Sequence, residues 1–383
     1  MQDVRARFPA LSRQAVFLDG PGGSQVPESV IAAMAEYLRG GTANDGGAFA
    51  TSGETAALVA TARAAAARLT GSAPEEIAFG ANMTTLNFLL AHAVARTLAP
   101  GDEIVVTELD HDANVAPWLR VAADHDLVVR TAPLGPEATL DHDALEALIG
   151  ERTRIVAFTL ASNAVGSLTD APRIAAAAHR FGALAWADGV HLAPHRPPDR
   201  AALGVDVLLC SPYKFFGPHL GVAAIRRDLA ESWPADRVRP ASESPPGHRF
   251  ETGTQSFAAL AGLVAAVEYL EDVGYERIRE HEDELARLVL RRLAGMERVT
   301  LYGPTKVEER TPTFCFTLDG HAPRAVAERL AERGINVWDG NYYALALMQA
   351  LGLEEHGGAV RAGFLHYNTP EEAERFCDEV AAL

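Results

Sequence analysis

A chain of 383 residues is long for a single hydrophobic core, so two domains are expected. Its 34 basic and 51 acidic residues leave a net charge of −17, which argues against nucleic acid or an anionic membrane surface as a partner. No apolar run approaches the ~20 residues of a membrane span, the first residues lack a signal-peptide apolar region, and the three cysteines (Cys210, Cys315, Cys377) are too scattered for a disulfide framework or a zinc site. A reducing cytoplasm is the expected setting.

In chain order, residues 1–14 pattern as a short amphipathic helix. Val16–Asp19 then runs into a Gly-Pro-Gly-Gly turn whose spacing is neither a P-loop nor a dinucleotide fingerprint. It reads as a loop bordering a substrate mouth or as a structural turn. Residues 27–39 are predicted helical, 42–50 a loop, and the Ala-rich stretch 54–70 a helix. The next strand ends at Gly80, and a small polar turn holding Asn82, Met83 and Thr84 opens a helix. A helix N-terminus with a threonine hydroxyl suits a phosphate, and an ordinary N-cap accounts for the same residues. Strands follow at 102–107, at 127–133 and from Arg154 to a Ser-Asn-Gly end, with a helix at 141–149 and another at 172–181. After the first of these strands comes Asp110-His111-Asp-Ala-Asn114, and after the third Ser162-Asn163-Ala-Val-Gly166.

Two later strands end in chemistry. Ala183–Asp188 closes on a carboxylate and continues to His191, and the buried-looking run Val205–Cys210 leads into Ser211-Pro-Tyr213-Lys214. A lysine just past a buried strand is poorly solvated, so its amine pKa falls and it becomes a Schiff-base nucleophile. In an open parallel sheet the carboxyl ends of the strands line one crevice. An acid and a lysine facing each other there are the pair that a pyridoxal phosphate (PLP) site needs. Beyond them, the proline-rich segment 234–249 is a loop long enough to cross to a second subunit, and Gly253-Thr254 follows it. Two helices flank Gly274, then come a strand at 313–318, a helix at 322–333, an aromatic loop holding Asn341, Tyr342 and Tyr343, and a strand holding Arg361. Alternation of strand and helix predicts an α/β protein with a largely parallel sheet. The domains are expected at 15–265 and at 266–383, the latter joined by 1–14.

Asp188-x-x-His191 followed by Ser211-Pro-Tyr-Lys214 resembles the PLP site of the class V aminotransferases, and within them the cysteine desulfurase-like group. The likeness runs from about residue 15 to the last residues. It implies PLP fold type I: a large domain with a mainly parallel, seven-stranded-type sheet between helices, and a smaller α+β C-terminal domain. Lys214 would hold the cofactor and Asp188 its ring nitrogen. His111 would stack on the ring, since Asp110-His-x-Ala-Asn resembles the family's Glu-His-x-Ala-Asn. Asn163 and His191 would face the phenolic oxygen, while Asn82, Met83, Thr84, Ser211 and Tyr213 would surround the phosphate. Gly253 and Thr254 would reach the phosphate of the other protomer, which implies a homodimer with shared sites. Arg361 would clamp the carboxylate of a small amino-acid substrate, and Asn341, Tyr342 and Tyr343 would form the substrate loop. No metal is implied.

One departure bears on the reaction. The segment matching the family's mobile, sulfur-accepting cysteine has Tyr343 instead, and a tyrosine cannot form a persulfide. The leading expectation is therefore a carbon–sulfur lyase that eliminates the sulfur of an S-substituted cysteine. Aminotransfer, amino-acid epimerisation and a non-catalytic PLP-binding scaffold stay open on the same residues.

Overall fold

The computed structural model describes all residues from 1 to 383. Its strands are β1 (Val16–Phe17), β2 (Ile77–Gly80), β3 (Glu103–Thr107), β4 (Val128–Ala132), β5 (Thr153–Thr159), β6 (Leu184–Asp188), β7 (Val207–Cys210), β8 (Gly221–Ile225), β9 (Val299–Tyr302), β10 (Thr313–Leu318), β11 (Ile335–Asn336), β12 (Trp338–Gly340) and β13 (Ala359–Gly363). The central sheet has seven strands in the order β2-β8-β7-β6-β5-β3-β4. Pairs β3/β4, β3/β5, β5/β6 and β6/β7 are parallel, while β8 is antiparallel to both β7 and β2. The reversal at β8 has a simple cause. The link from β7 to β8 is the short turn through Lys214, and a parallel partner would need a crossover of a dozen or more residues.

Strands β3, β7 and β8 are buried at every position, because helices cover both faces of the sheet. That is why they read as continuous apolar runs rather than alternating ones. Alternation reappears in the packing: Val105 of β3 joins one core layer with Phe79 and Phe158, whereas Ile104 and Val106 join the opposite layer with Trp118 and Trp186.

A second sheet, β12-β13-β10-β9, is antiparallel and carries the smaller core. Phe314, Phe316, Phe364 and Phe376 fill it, each fully buried and each contributing about 1.5–3 kcal/mol of transfer free energy. Val16 and Leu18 belong to this core as well, since β1 pairs in parallel with β11.

Two local expectations change. The first fourteen residues are not one helix but a turn at Gln2–Arg5 and a 3-10 turn at Pro9–Ser12. Pro9 has no N–H to continue a helix, and Phe8 before it is extended and packs edge-on against Phe216, Tyr269 and Tyr367. The aromatic stretch after Gly334 is not all loop, because it contributes β11 and β12. No helix is long and apolar enough to cross a membrane.

Candidate active site

The carboxyl ends of β5, β6 and β7 open into a cavity of about 1080 Å³, closed on its other side by β12, β13 and the turn at Pro21. Lys214 stands in a 3-10 turn just past β7, anchored by the fully buried Phe215 and Phe216. Its Nζ donates to the carbonyl of Pro21 and lies 4.8 Å from the centre of the Tyr213 ring. Burial, reinforced by the charge of Arg361, lowers the amine pKa to about 7, against the opposing pull of Asp188. Near neutral pH a large share of this amine is therefore unprotonated and nucleophilic.

Asp188, the last residue of β6, is 5% exposed, and its Oδ1 accepts the Val190 N–H at 2.8 Å. Burial raises its pKa to about 6, while that N–H and Lys214 hold it down. His111 caps the short turn Asp112–Asn114, and its Nδ1 accepts the Ala113 N–H at 3.0 Å. This bond assigns the ring proton to Nε2. Burial, with Lys214 and Arg361 adding like charge, lowers the His111 pKa to about 4, so the ring is neutral at physiological pH. His191 is likewise kept neutral by burial, with Nε2 at 3.0 Å from Thr313 Oγ1 and 3.2 Å from Thr311 Oγ1.

Arg361 is 4% exposed in the middle of β13. Its guanidinium sits 4.3 Å from the centre of the Tyr342 ring and donates to the Asn163 carbonyl at 2.7 Å, but its Nε is buried without a partner. A buried cation that makes no ion pair is costly to hold, and an anion beside it would offset that cost. Asn163 donates Nδ2 to the Tyr342 carbonyl at 2.9 Å, leaving its Oδ1 buried and unpaired. Tyr342 and Tyr343 both have left-handed backbones, φ +54° and +59°. For residues with a Cβ this costs about 1–2 kcal/mol each. The turn is fixed by several bonds: Asn341 Oδ1 accepts Tyr343 N–H at 3.0 Å, Asn341 Nδ2 donates to Glu354 at 3.0 Å, and the Tyr343 carbonyl accepts Asp112 N–H at 2.7 Å. The Tyr343 side chain is 72% exposed and tilts over His111, ring centres 5.5 Å apart.

The helix Met83–Ala95 points its N-terminus at the same cavity, with Met83 and Thr84 on the wall. Gly221 permits the close approach, since a Cβ there would lie 2.4 Å from the Asn82 carbonyl carbon. Met83 N–H donates to Ser211 Oγ at 3.1 Å, tying the helix to the lysine turn. Asn82 does not line the cavity; its Oδ1 accepts Thr85 N–H at 2.8 Å as a helix cap. Gly253 and Thr254 are exposed and also lie outside the cavity of their own chain. The segment leading to them is anchored by Glu251, which is 5% exposed and accepts from Arg63 at 2.7 Å and from Phe79 N–H at 2.9 Å.

Among the wall residues without a role in the sequence reading are Phe88, Asp112 and Glu354. Phe88 lies one helical turn beyond Thr84 on the same face, a spacing that could have signalled it. Trp338, whose indole packs against Gly22, Asp112, and Glu354 reach the cavity only through tertiary packing.

The donor set fits PLP. A buried amine suits an aldehyde, a buried carboxylate suits a ring nitrogen, and a helix N-terminus beside Ser211 suits a phosphate. The unpaired Arg361 suits a substrate carboxylate. No group of three or more His, Cys, Asp or Glu side chains converges as a metal site would.

Fold and site thus define a PLP-dependent enzyme of fold type I. The class-V aminotransferase family pattern matches residues 16–376, and the chain belongs to that family. It is 33% identical over 395 residues to a cysteine desulfurase of Klebsiella pneumoniae, covering 98% of this chain and 96% of that one. It is 31% identical over 401 residues to an aminotransferase-like protein of Gibberella zeae, covering 98% and 96%. Among solved structures, the apo cysteine desulfurase of Thermococcus onnurineus superposes with a TM-score of 0.93 at 28% identity, covering 100% of this chain and 97% of that one.

Proposed function

We propose that this chain is a carbon–sulfur lyase that converts an S-substituted cysteine and water to pyruvate, ammonia and a thiol. The observation that carries this reading is the state of the cysteines. Cys210, Cys315 and Cys377 are all 0–1% exposed, and none lies on the cavity wall. Burial pushes the thiols of Cys315 and Cys377 up to about 12, and that of Cys210 upward too. A protonated, buried thiol is a poor sulfur acceptor. At the cavity mouth, Tyr343 occupies the turn that would have to present such a thiol.

The roles follow from the geometry. PLP, when bound, supplies an electron sink for charge developing at the substrate Cα. Arg361 binds the α-carboxylate and so orients the Cα–H bond. Lys214 Nζ, with its pKa near 7, removes the Cα proton. Asp188 would hold the protonated ring nitrogen, and Asn163 and His191 would hold the phenolic oxygen. His111 would stack on the ring, its neutral Nε2–H serving as a hydrogen-bond donor to the departing sulfur, which takes up the proton that Lys214 removed from Cα. Met83, Thr84, Ser211 and Tyr213, all on the cavity wall, would hold the phosphate.

A homodimer completes each site in this reading, with Gly253 and Thr254 reaching the partner's phosphate pocket. Their exposure beyond the anchored Glu251 supports it. A reducing cytoplasm suits three unpaired cysteines.

The test is a screen of S-substituted cysteines and common amino acids against the PLP-loaded protein, with products identified by mass spectrometry. Pyruvate and free thiol in equal amounts are expected. Conversion of the cofactor to its amine form with release of a keto acid would make it an aminotransferase. Racemised amino acid would make it an epimerase, and no turnover at all a scaffold.

A further inference from the structure

Beneath the cavity runs a buried polar chain that no step above uses. Asp110, immediately before His111, is 1% exposed. Its Oδ2 pairs with the Thr107 hydroxyl, and its Oδ1 accepts from Asn114 Nδ2 at 2.8 Å. Asn114 Oδ1 accepts from Asn87 Nδ2 at 3.1 Å, and the same Nδ2 donates to the Ala113 carbonyl at 2.8 Å. Asn87 Oδ1 accepts from Trp186 Nε1 at 3.0 Å. Thr107, Asn87, Asn114 and Trp186 are each 0–1% exposed, and none of the five touches the cavity.

The ends of this chain matter. One end is the turn whose Ala113 N–H holds His111. The other is Trp186 on β6, two residues before Asp188 and therefore on the same face of the strand. Apolar residues would fill this space at less cost, because every unpaired member of a buried polar network is penalised. A network with all its members paired instead fixes one geometry.

We propose that Asp110 is a positioning residue: through Asn114, Asn87 and Trp186 it ties the turn carrying His111 to the strand carrying Asp188, holding the stacking ring in register with the ring-nitrogen acid. This rests on the roles given to His111 and Asp188 above. Charge is consistent with it. Burial, with Asp188 nearby, raises the Asp110 pKa to about 8. Asp110 is thus a neutral hydrogen-bonding group at pH 7 and leaves Asp188 as the carboxylate facing the ring.

The test compares Asp110→Val, which removes the partner of the Thr107 hydroxyl and of Asn114 Nδ2, with Asp110→Asn, which keeps a neutral hydrogen-bonding group of the same shape. Val121→Ala, an apolar deletion in the same core layer, controls for stability. The readouts are the visible circular dichroism of bound PLP, which reports how the ring is held, and kcat against KM. Asp110→Val is expected to roughly halve the dichroism and lower kcat about tenfold at nearly unchanged KM, with Asp110→Asn restoring most of both. Val121→Ala should lower the melting temperature without moving the dichroism. If Asp110→Val fails to fold, Asn87→Ser breaks the same chain and is expected to give the same signature. A wild-type dichroism and kcat in Asp110→Val or Asn87→Ser would overturn the inference, as would losses that merely track melting temperature across all variants. His111→Ala and Asp188→Asn serve as references: if they too leave the cofactor band unchanged, the fault lies in the assigned site rather than in the network.

Discussion

Arg361 offers a perturbation in which activity and stability should move in opposite directions. The guanidinium is 4% exposed, its Nε has no partner, and burial alone pulls its pKa down to about 10. The Asn163 carbonyl, the face of Tyr342 and the more distant charge of Asp19 compensate only in part for lost hydration. Replacing a poorly paired buried charge by an apolar side chain of similar length is often neutral or stabilising by about 1–4 kcal/mol. For substrate the balance is reversed, because a buried bidentate contact to a carboxylate is worth roughly 2–5 kcal/mol, or ~30-fold to several thousandfold in kcat/KM. Arg361→Met is therefore expected to keep or raise the melting temperature while losing at least about thirtyfold in kcat/KM for an amino acid. The assay is turnover by pyruvate release, beside binding of L-alanine and of ethylamine followed by the cofactor spectrum. Alanine binding should weaken and ethylamine binding should not. A variant that binds both equally well, or weakens equally toward both, would refute a carboxylate role for Arg361. A large fall in melting temperature would refute the claim that its charge is underpaired.

Borohydride reduction should fix PLP to Lys214 in the wild type and to no lysine in Lys214→Ala, as peptide mapping would reveal. Loading of the apoprotein should follow the free amine: slow below pH 7, rising through the Lys214 pKa of about 7, and flat above it. Because Arg361 helps to depress that pKa, Arg361→Met should move the midpoint to higher pH, and an unmoved or lowered midpoint contradicts the coupling. Asp188→Asn should retain PLP and lose most turnover, since an amide cannot hold the charge of a protonated ring nitrogen; near-normal turnover would remove Asp188 from that role. In isolated heterodimers, a Lys214→Ala chain that also carries Thr254→Ala should impair the site of its wild-type partner. The corresponding Lys214→Ala, Arg361→Ala chain should spare it, and the reverse pattern would reassign these residues between chains.

Much of this architecture is written locally. The strands of the central sheet are legible because helices bury both of their faces, and Lys214 and Asp188 are legible because strand ends in such sheets point into one crevice. The direction of β8 is not, since the run Gly221–Ile225 reads the same in either orientation and only the length of its link to β7 decides. Asn82 shows a second limit. Its side chain could face a phosphate or cap its own helix, and the choice appears only when Thr85 N–H is seen to take it. Trp338 against Gly22, and the Pro21 carbonyl beside Lys214, join segments far apart in the chain and leave no mark in either one. The break at Pro9 was available from proline chemistry, but the amphipathic pattern around it obscured the two separate turns.

The most direct measurement of the proposed activity is product identification during steady turnover of an S-substituted cysteine by the PLP-loaded protein, with a persulfide-specific label present. The account predicts pyruvate and free thiol in equal amounts and no label on Cys210, Cys315 or Cys377. With free cysteine as the substrate in a parallel run, alanine as the product and a persulfide on any of the three that forms and decays with turnover would contradict it.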